Sequence, residues 1–263
     1  MLTRDVRPYT EEDRGRKNLR VIQSIQMSKK IKQNKYISAG AAFISVLAMW
    51  LFYNLGTKAP AHIEPFIFGV GIILLLSTLL PAVFVKSYEH GDLSDLGIHA
   101  RKIKLLLGVS AFFGLGSLFY YFQLTNESNI SDGAATRFLL WSLLMLWEVI
   151  FVFGWLQIRY ERAFGPLAGI ILASLSFALY HVGTVPLEQV AGLVAVGGFG
   201  AVLFKLAGNS IFVLWPFFWG VGVAIGAQQA DAGAEVSPLS LFSMTLLLLA
   251  QVAALSYWFK YRR

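Results

Sequence analysis

Cysteine is absent from this 263-residue chain. That excludes disulfides, thiolate metal ligands and a cysteine nucleophile. Charge is also scarce: Asp, Glu, Lys and Arg together make up 14% of the residues, against about a quarter in an ordinary soluble domain. There are four histidines, and three of them (His62, His90 and His99) fall between apolar runs. Residues 1–36 are polar and contain no apolar core of the length a cleaved signal peptide needs.

What is abundant is hydrocarbon. Hydrophobic residues reach 56% and the mean hydropathy is +0.61. Apolar stretches of about 18 residues or more read as membrane-spanning helices. Eight are expected, near residues 37–54, 65–85, 105–124, 136–158, 166–185, 189–206, 210–227 and 239–259. The expected fold is therefore all-α, a polytopic membrane helix bundle, with a basic tail at 1–36 and a transmembrane domain at 37–263. Basic residues orient such a bundle, because cytoplasmic segments carry the excess of Lys and Arg. With both termini in the cytoplasm, 20 of the 22 Lys and Arg fall on the inner side, leaving only Lys58 and Arg137 outside. This predicts a multi-pass cell-membrane protein, N-in and C-in. The net charge of +7 is then a topology and lipid-surface signal, and the lipid bilayer, with no nucleic acid, is the expected partner.

The loop at 86–104 (KSYEHGDLSDLGIHARKIK) is the largest internal one, with Asp92 or Ser94 placed to cap a short helix. Its His90, His99, Glu89, Asp92 and Asp95 match no compact metal-ligand spacing and read as a solvated charged loop. Small residues crowd 191–204 and 220–227, which suits close helix approach.

Two side chains stand apart. Glu148 lies within FLLWSLLMLWEVIFVFGW and His181 within PLAGIILASLSFALYHV. An ionisable group in hydrocarbon is costly and normally faces a bundle interior, with a partner or a task. Counted from Arg159, Glu148 is about 16 Å up its helix; counted from Pro166, His181 is about 22 Å up the next, an offset of about 6 Å. Consecutive antiparallel helices joined by a loop at 159–165 bring the two groups within reach. Such a pair either activates water or serves as an interhelical polar clasp worth about 0.6–2 kcal/mol. Buried Glu and His also relay protons in transporters, but no inverted repeat or pair of broken helices is evident.

The run Glu148-Val-Ile-Phe-Val-Phe-Gly154, then SLSFALYH ending at His181, then a Gly-rich helix and GNSIFVLWPF, resembles the CPBP family of CAAX prenyl proteases and bacteriocin-processing (Abi-type) proteins, over roughly residues 85–227. That resemblance implies an intramembrane peptidase acting on prenylated or membrane-associated peptides. The family pattern is Glu-Glu-x-x-x-Arg, Phe-x-x-x-His and His-x-x-x-Asn/Asp, with the first Glu and the two His activating water and the Asn stabilising the oxyanion. Aligned on Gly154, it makes Glu148 the first Glu and places Val149 and Phe153 at the second Glu and the Arg. A shift by one makes Trp147 and Val152 the substitutes instead. Phe177 and His181 fit the second motif. For the third, Trp219 or Gly220 falls in the His slot and Val223 or Ala224 in the Asn slot, and residues 210–227 contain no His, Asn, Asp or Glu.

Expected from the resemblance are Glu148 and His181 as catalytic residues and Val149, Phe153, Phe177, Trp219, Gly220 and Val223 as the lining of one cavity. Metal-dependent and metal-free forms are both argued for the family, so the cofactor stays open; one intramembrane His and one Glu fall short of the three protein ligands usual for catalytic zinc. With the Arg, the second His and the Asn lost, the alternative is a pseudoprotease that binds a partner protein as a membrane scaffold or regulator.

Overall fold

The computed structural model describes residues 35–60, 62–99, 101–125, 146–215, 218, 246–247 and 249–257. These residues are helical, with no strand among them, only an isolated bridge between Val182 and Val185. Seven helical segments follow in chain order: α1 (Lys35–Gly56), α2 (Phe66–Glu89), α3 (Ile103–Thr125), α4 (146–164), α5 (Pro166–Leu179), α6 (Leu187–Leu206) and α7 (249–257). Among the described residues α1, α2 and α6 are long and apolar enough to cross a membrane, and Ile103–Gly116 and Pro166–Leu179 are shorter apolar helices. Of the seventh expected span only its first turns are described, beginning with the 3₁₀ turn Ile211–Val213.

Apolar side chains cover the outside of the bundle as well as filling its core. Along α5, Leu167, Ile171, Leu175 and Leu179 form an exposed stripe at every fourth residue, while Gly169, Ala173, Ser176 and Phe177 face inward. On α1, Ile44, Leu47, Leu51 and Leu55 are likewise exposed. Apolar patches on this scale fit an acyl-chain surround.

α4 is the hub. Every residue from Trp147 to Tyr160 is buried, as expected of a helix apolar all round. Its middle, Ile150–Gln157, widens into π turns. α5 returns along one side after a break of a single residue, Gly165, at φ +93°. The break is shorter than the expected loop at 159–165 because Ile158–Phe164 continues as helix.

The small residues of α6 fit its neighbours' rings. A Cβ at Gly197 would stand 3.0 Å from the Phe177 ring, and one at Gly200 would stand 2.8 Å from Phe153 and 2.9 Å from Phe218.

The segment after α2 is no freely solvated loop. His90 turns the chain left-handed at φ 57° and Leu93–Leu96 forms a 3₁₀ turn. Asp92 caps that turn by accepting from the Ser94 N–H (2.8 Å), while the Asp92 N–H donates to Asp95 Oδ2 (3.0 Å). This strap lies directly on α4: the Leu96 carbonyl sits where a side chain at Gly154 would project. The Ile211 N–H then donates to the Gly97 carbonyl at 3.0 Å, tying the strap to the start of the seventh expected span. The apolar pattern gave no hint of this docking, because charge carries it: Glu89 and Asp95 accept from Arg159 and Arg162 of α4.

Candidate functional site

Glu148 occupies the first described turn of α4, and His181 lies just past the last turn of α5. His181 is therefore not inside a helix, as the run 166–185 suggested; α5 ends at Leu179, and residues 180–186 form a turn. The expected 6 Å offset disappears for the same reason that the loop shortens. Counted from Gly165, Glu148 lies seventeen residues back and His181 sixteen on.

The two side chains meet. His181 Nε2 stands 3.9 Å from Glu148 Oε1, with the carboxylate almost fully buried and the imidazole 13% exposed. The same Oε1 accepts a hydrogen bond from the Tyr180 hydroxyl at 2.6 Å. His181 Nδ1 lies 2.8 Å from the Phe177 carbonyl, and because a carbonyl only accepts, Nδ1 carries a proton and donates. In the neutral ring Nε2 then turns a lone pair toward the carboxylate. At 3.9 Å the gap exceeds a direct hydrogen bond.

The turn that carries His181 is held from α1. The Trp50 indole N–H (2.9 Å) and the Asn54 amide (3.0 Å) both donate to the Val182 carbonyl. Thr184 donates its hydroxyl (2.8 Å) and its N–H (3.0 Å) to the His181 carbonyl. Gly183 closes the turn at φ +92° against the Asn54 side chain. Tyr53, one residue before Asn54, sets its ring 5.2 Å from His181 and 5.4 Å from Tyr180.

The expected lining residues divide. Phe177 stacks edge-on against His181 at 5.1 Å. Val149 is sealed in the core beside Glu148. Phe153, at the aligned Arg position, is fully buried and packs on Phe204 (6.1 Å) and Phe218 (5.2 Å). Phe218 also touches Phe177 at 5.8 Å, so one aromatic wedge joins these positions. Trp219, Gly220 and Val223 lie outside the described residues. A groove of about 460 Å³ opens elsewhere, between α1, α5 and α6, with Phe43, Leu47, Leu175, Leu179, Val182 and Val194 among its walls, and Val149, Phe153 and Phe177 do not border it. Among the described residues no three His, Asp or Glu side chains converge as metal ligands.

Tyr180 and Tyr53 carried no role in the sequence reading. The available signal was Tyr180 beside His181 in the run LYHV: a tyrosine buried in hydrocarbon seeks a partner for its hydroxyl.

The chain matches no family model, no curated protein and no solved structure.

Proposed function

We propose that the chain is an intramembrane protein of the CPBP type, in which Glu148 and His181 are the water-activating pair of a peptidase acting on prenylated or membrane-associated peptides. The observation that carries this reading is the 3.9 Å approach of His181 Nε2 to Glu148 Oε1 across the α4–α5 hairpin. In this reading the bundle crosses the cell membrane eight times with both termini in the cytoplasm.

Glu148, paired with the imidazole, takes the proton of an incoming water as it attacks the scissile carbonyl. His181, with Nδ1 pinned to the Phe177 carbonyl, keeps Nε2 aimed at the same place, receives that proton from Glu148 on Nε2 and passes it to the leaving amine. General acid–base catalysis by such a pair contributes about 10²–10⁴-fold.

A second reading is favoured by Phe153. Its full burial against Phe204 and Phe218 fills the aligned Arg position with packed rings. On that reading the chain is a degenerate pseudoprotease, a membrane scaffold that binds a partner protein.

The test is cleavage of a prenylated or transmembrane peptide by the purified protein in liposomes. The peptidase reading expects turnover that falls by about 10² or more in Glu148→Gln and His181→Ala. No cleavage by the unaltered protein, with partner capture the same in both variants, supports the scaffold.

A further inference from the structure

The side chain that the water-activating reading leaves unused is Tyr180. Its ring is completely buried and held on every side by other rings: His181 at 4.3 Å, Tyr53 at 5.4 Å, Phe177 at 5.8 Å and Phe151 at 6.3 Å. A phenylalanine satisfies all of that packing. What tyrosine adds is one hydroxyl, and it donates to Glu148 at 2.6 Å.

The acceptor atom matters. Oε1 receives the Tyr180 hydroxyl and is also the oxygen that faces His181 Nε2. The phenol therefore fixes which carboxylate oxygen the imidazole meets. A donor to a carboxylate also favours its charged form. Among the described residues of the neighbouring helices there is no cation for the purpose. α1 presents Tyr53 and no charged side chain after Lys35, α2 carries none from Phe66 to Phe84, and α5 carries none. Arg159 is spent on Glu89 at the other end of α4.

We infer that Tyr180 is the positioning residue of the Glu148–His181 pair, a neutral donor standing in for the cation that the aligned Phe153 position does not provide. It rests on Glu148 and His181 being the working pair, but its test does not depend on cleavage. The full-length protein in lipid nanodiscs is titrated by infrared spectroscopy, following the C=O stretch of the protonated Glu148 carboxyl, with Glu148→Gln assigning the band. Loss of a hydrogen bond to a charged group moves a titration midpoint by about one pH unit, tenfold in proton affinity. In Tyr180→Phe the Glu148 midpoint rises by that amount, while the buried control Tyr160→Phe leaves it in place. Where peptide is cut, the acid limb of the rate profile moves with the midpoint and KM does not. A midpoint in folded Tyr180→Phe that matches the unaltered protein overturns the inference. Should Tyr180→Phe not fold, 3,5-difluorotyrosine at position 180, a stronger donor, takes its place: a lowered midpoint supports the role and an unmoved one overturns it. Failure of the peptidase reading is registered separately, as absence of cleavage with the infrared shift intact.

Discussion

Arg159 and Glu89, seventy residues apart, meet as a fork: Nη2 donates to Oε2 at 2.6 Å and Nε to Oε1 at 3.3 Å. The remaining guanidinium nitrogen, Nη1, donates to the Asp95 carbonyl (2.6 Å) and the Gly154 carbonyl (3.0 Å), and the group lies 4.6 Å from the Trp155 ring. Arg159 is fully buried, so a residue that reads from sequence as a topology charge is the pin between strap and hub helix. Removing one partner of a buried pair costs about 3–5 kcal/mol, whereas replacing both by apolar groups is far milder. Arg159→Leu is therefore expected to lower thermal stability in detergent sharply, and Arg159→Leu with Glu89→Leu to recover most of the loss.

Gly154 lets the strap lie down. A methyl group there meets the Leu96 carbonyl, part of the backbone, which cannot turn aside as a flexible side chain would. Gly154→Ala is expected to cost about 1–3 kcal/mol by overpacking. Amide hydrogen exchange should speed up at residues 95–98 and stay unchanged in α6.

The turn beneath His181 has its own weak point. Gly183 sits at φ +92°, a region that L side chains rarely occupy, and faces Asn54. Gly183→Ala is expected to cost about 1–3 kcal/mol and to displace Asn54 from the Val182 carbonyl. The check is faster exchange of the Thr184 and Val185 amides, both of which donate to the His181 carbonyl.

The strap responds to acid. Asp92 is held below the usual carboxylate range, first by the Ser94 hydroxyl and then by the Ser94 N–H. A depressed carboxylate contributes stability above its unfolded pKa and loses it as pH falls through the folded value. The 92–97 segment should therefore loosen only below the ordinary Asp range, near pH 4 and lower. Asp92→Asn should remove that acid dependence, as read by exchange of the Ser94 and Asp95 amides against pH.

The helices were legible because hydrocarbon writes them plainly. The runs 37–54, 65–85, 105–124 and 189–206 reappear as α1, α2, α3 and α6 within a few residues. The ends were harder. Arg159 stood at the expected edge of a span, yet α4 continues past it to Phe164, because Arg159 is neutralised by Glu89 and Glu161 accepts from the Gln157 amide and the Lys205 ammonium. At the other end, His181 falls outside α5 although its run stays apolar to Val185, because the Val182 carbonyl bonds to Trp50 and Asn54 of α1. Those partners lie about 130 residues upstream, beyond the reach of local patterning. Within the site, the meeting of Glu148 and His181 followed from helix arithmetic. Tyr180 did not, since a tyrosine in an apolar run differs from a phenylalanine only by what its hydroxyl finds.

The proposed site requires Glu148 and His181 to face each other in the membrane, and the absence of native cysteine makes that directly measurable. Glu148→Cys with His181→Cys is treated in native membranes with a short bifunctional thiol reagent. Tyr160→Cys with Ser176→Cys, whose parent hydroxyls stand 3.3 Å apart, serves as the positive control on the same two helices. The expected result is cross-linking of 148 to 181 at a yield comparable to the control. Efficient linkage of 160 to 176 with none between 148 and 181 would contradict the pair, and with it the site.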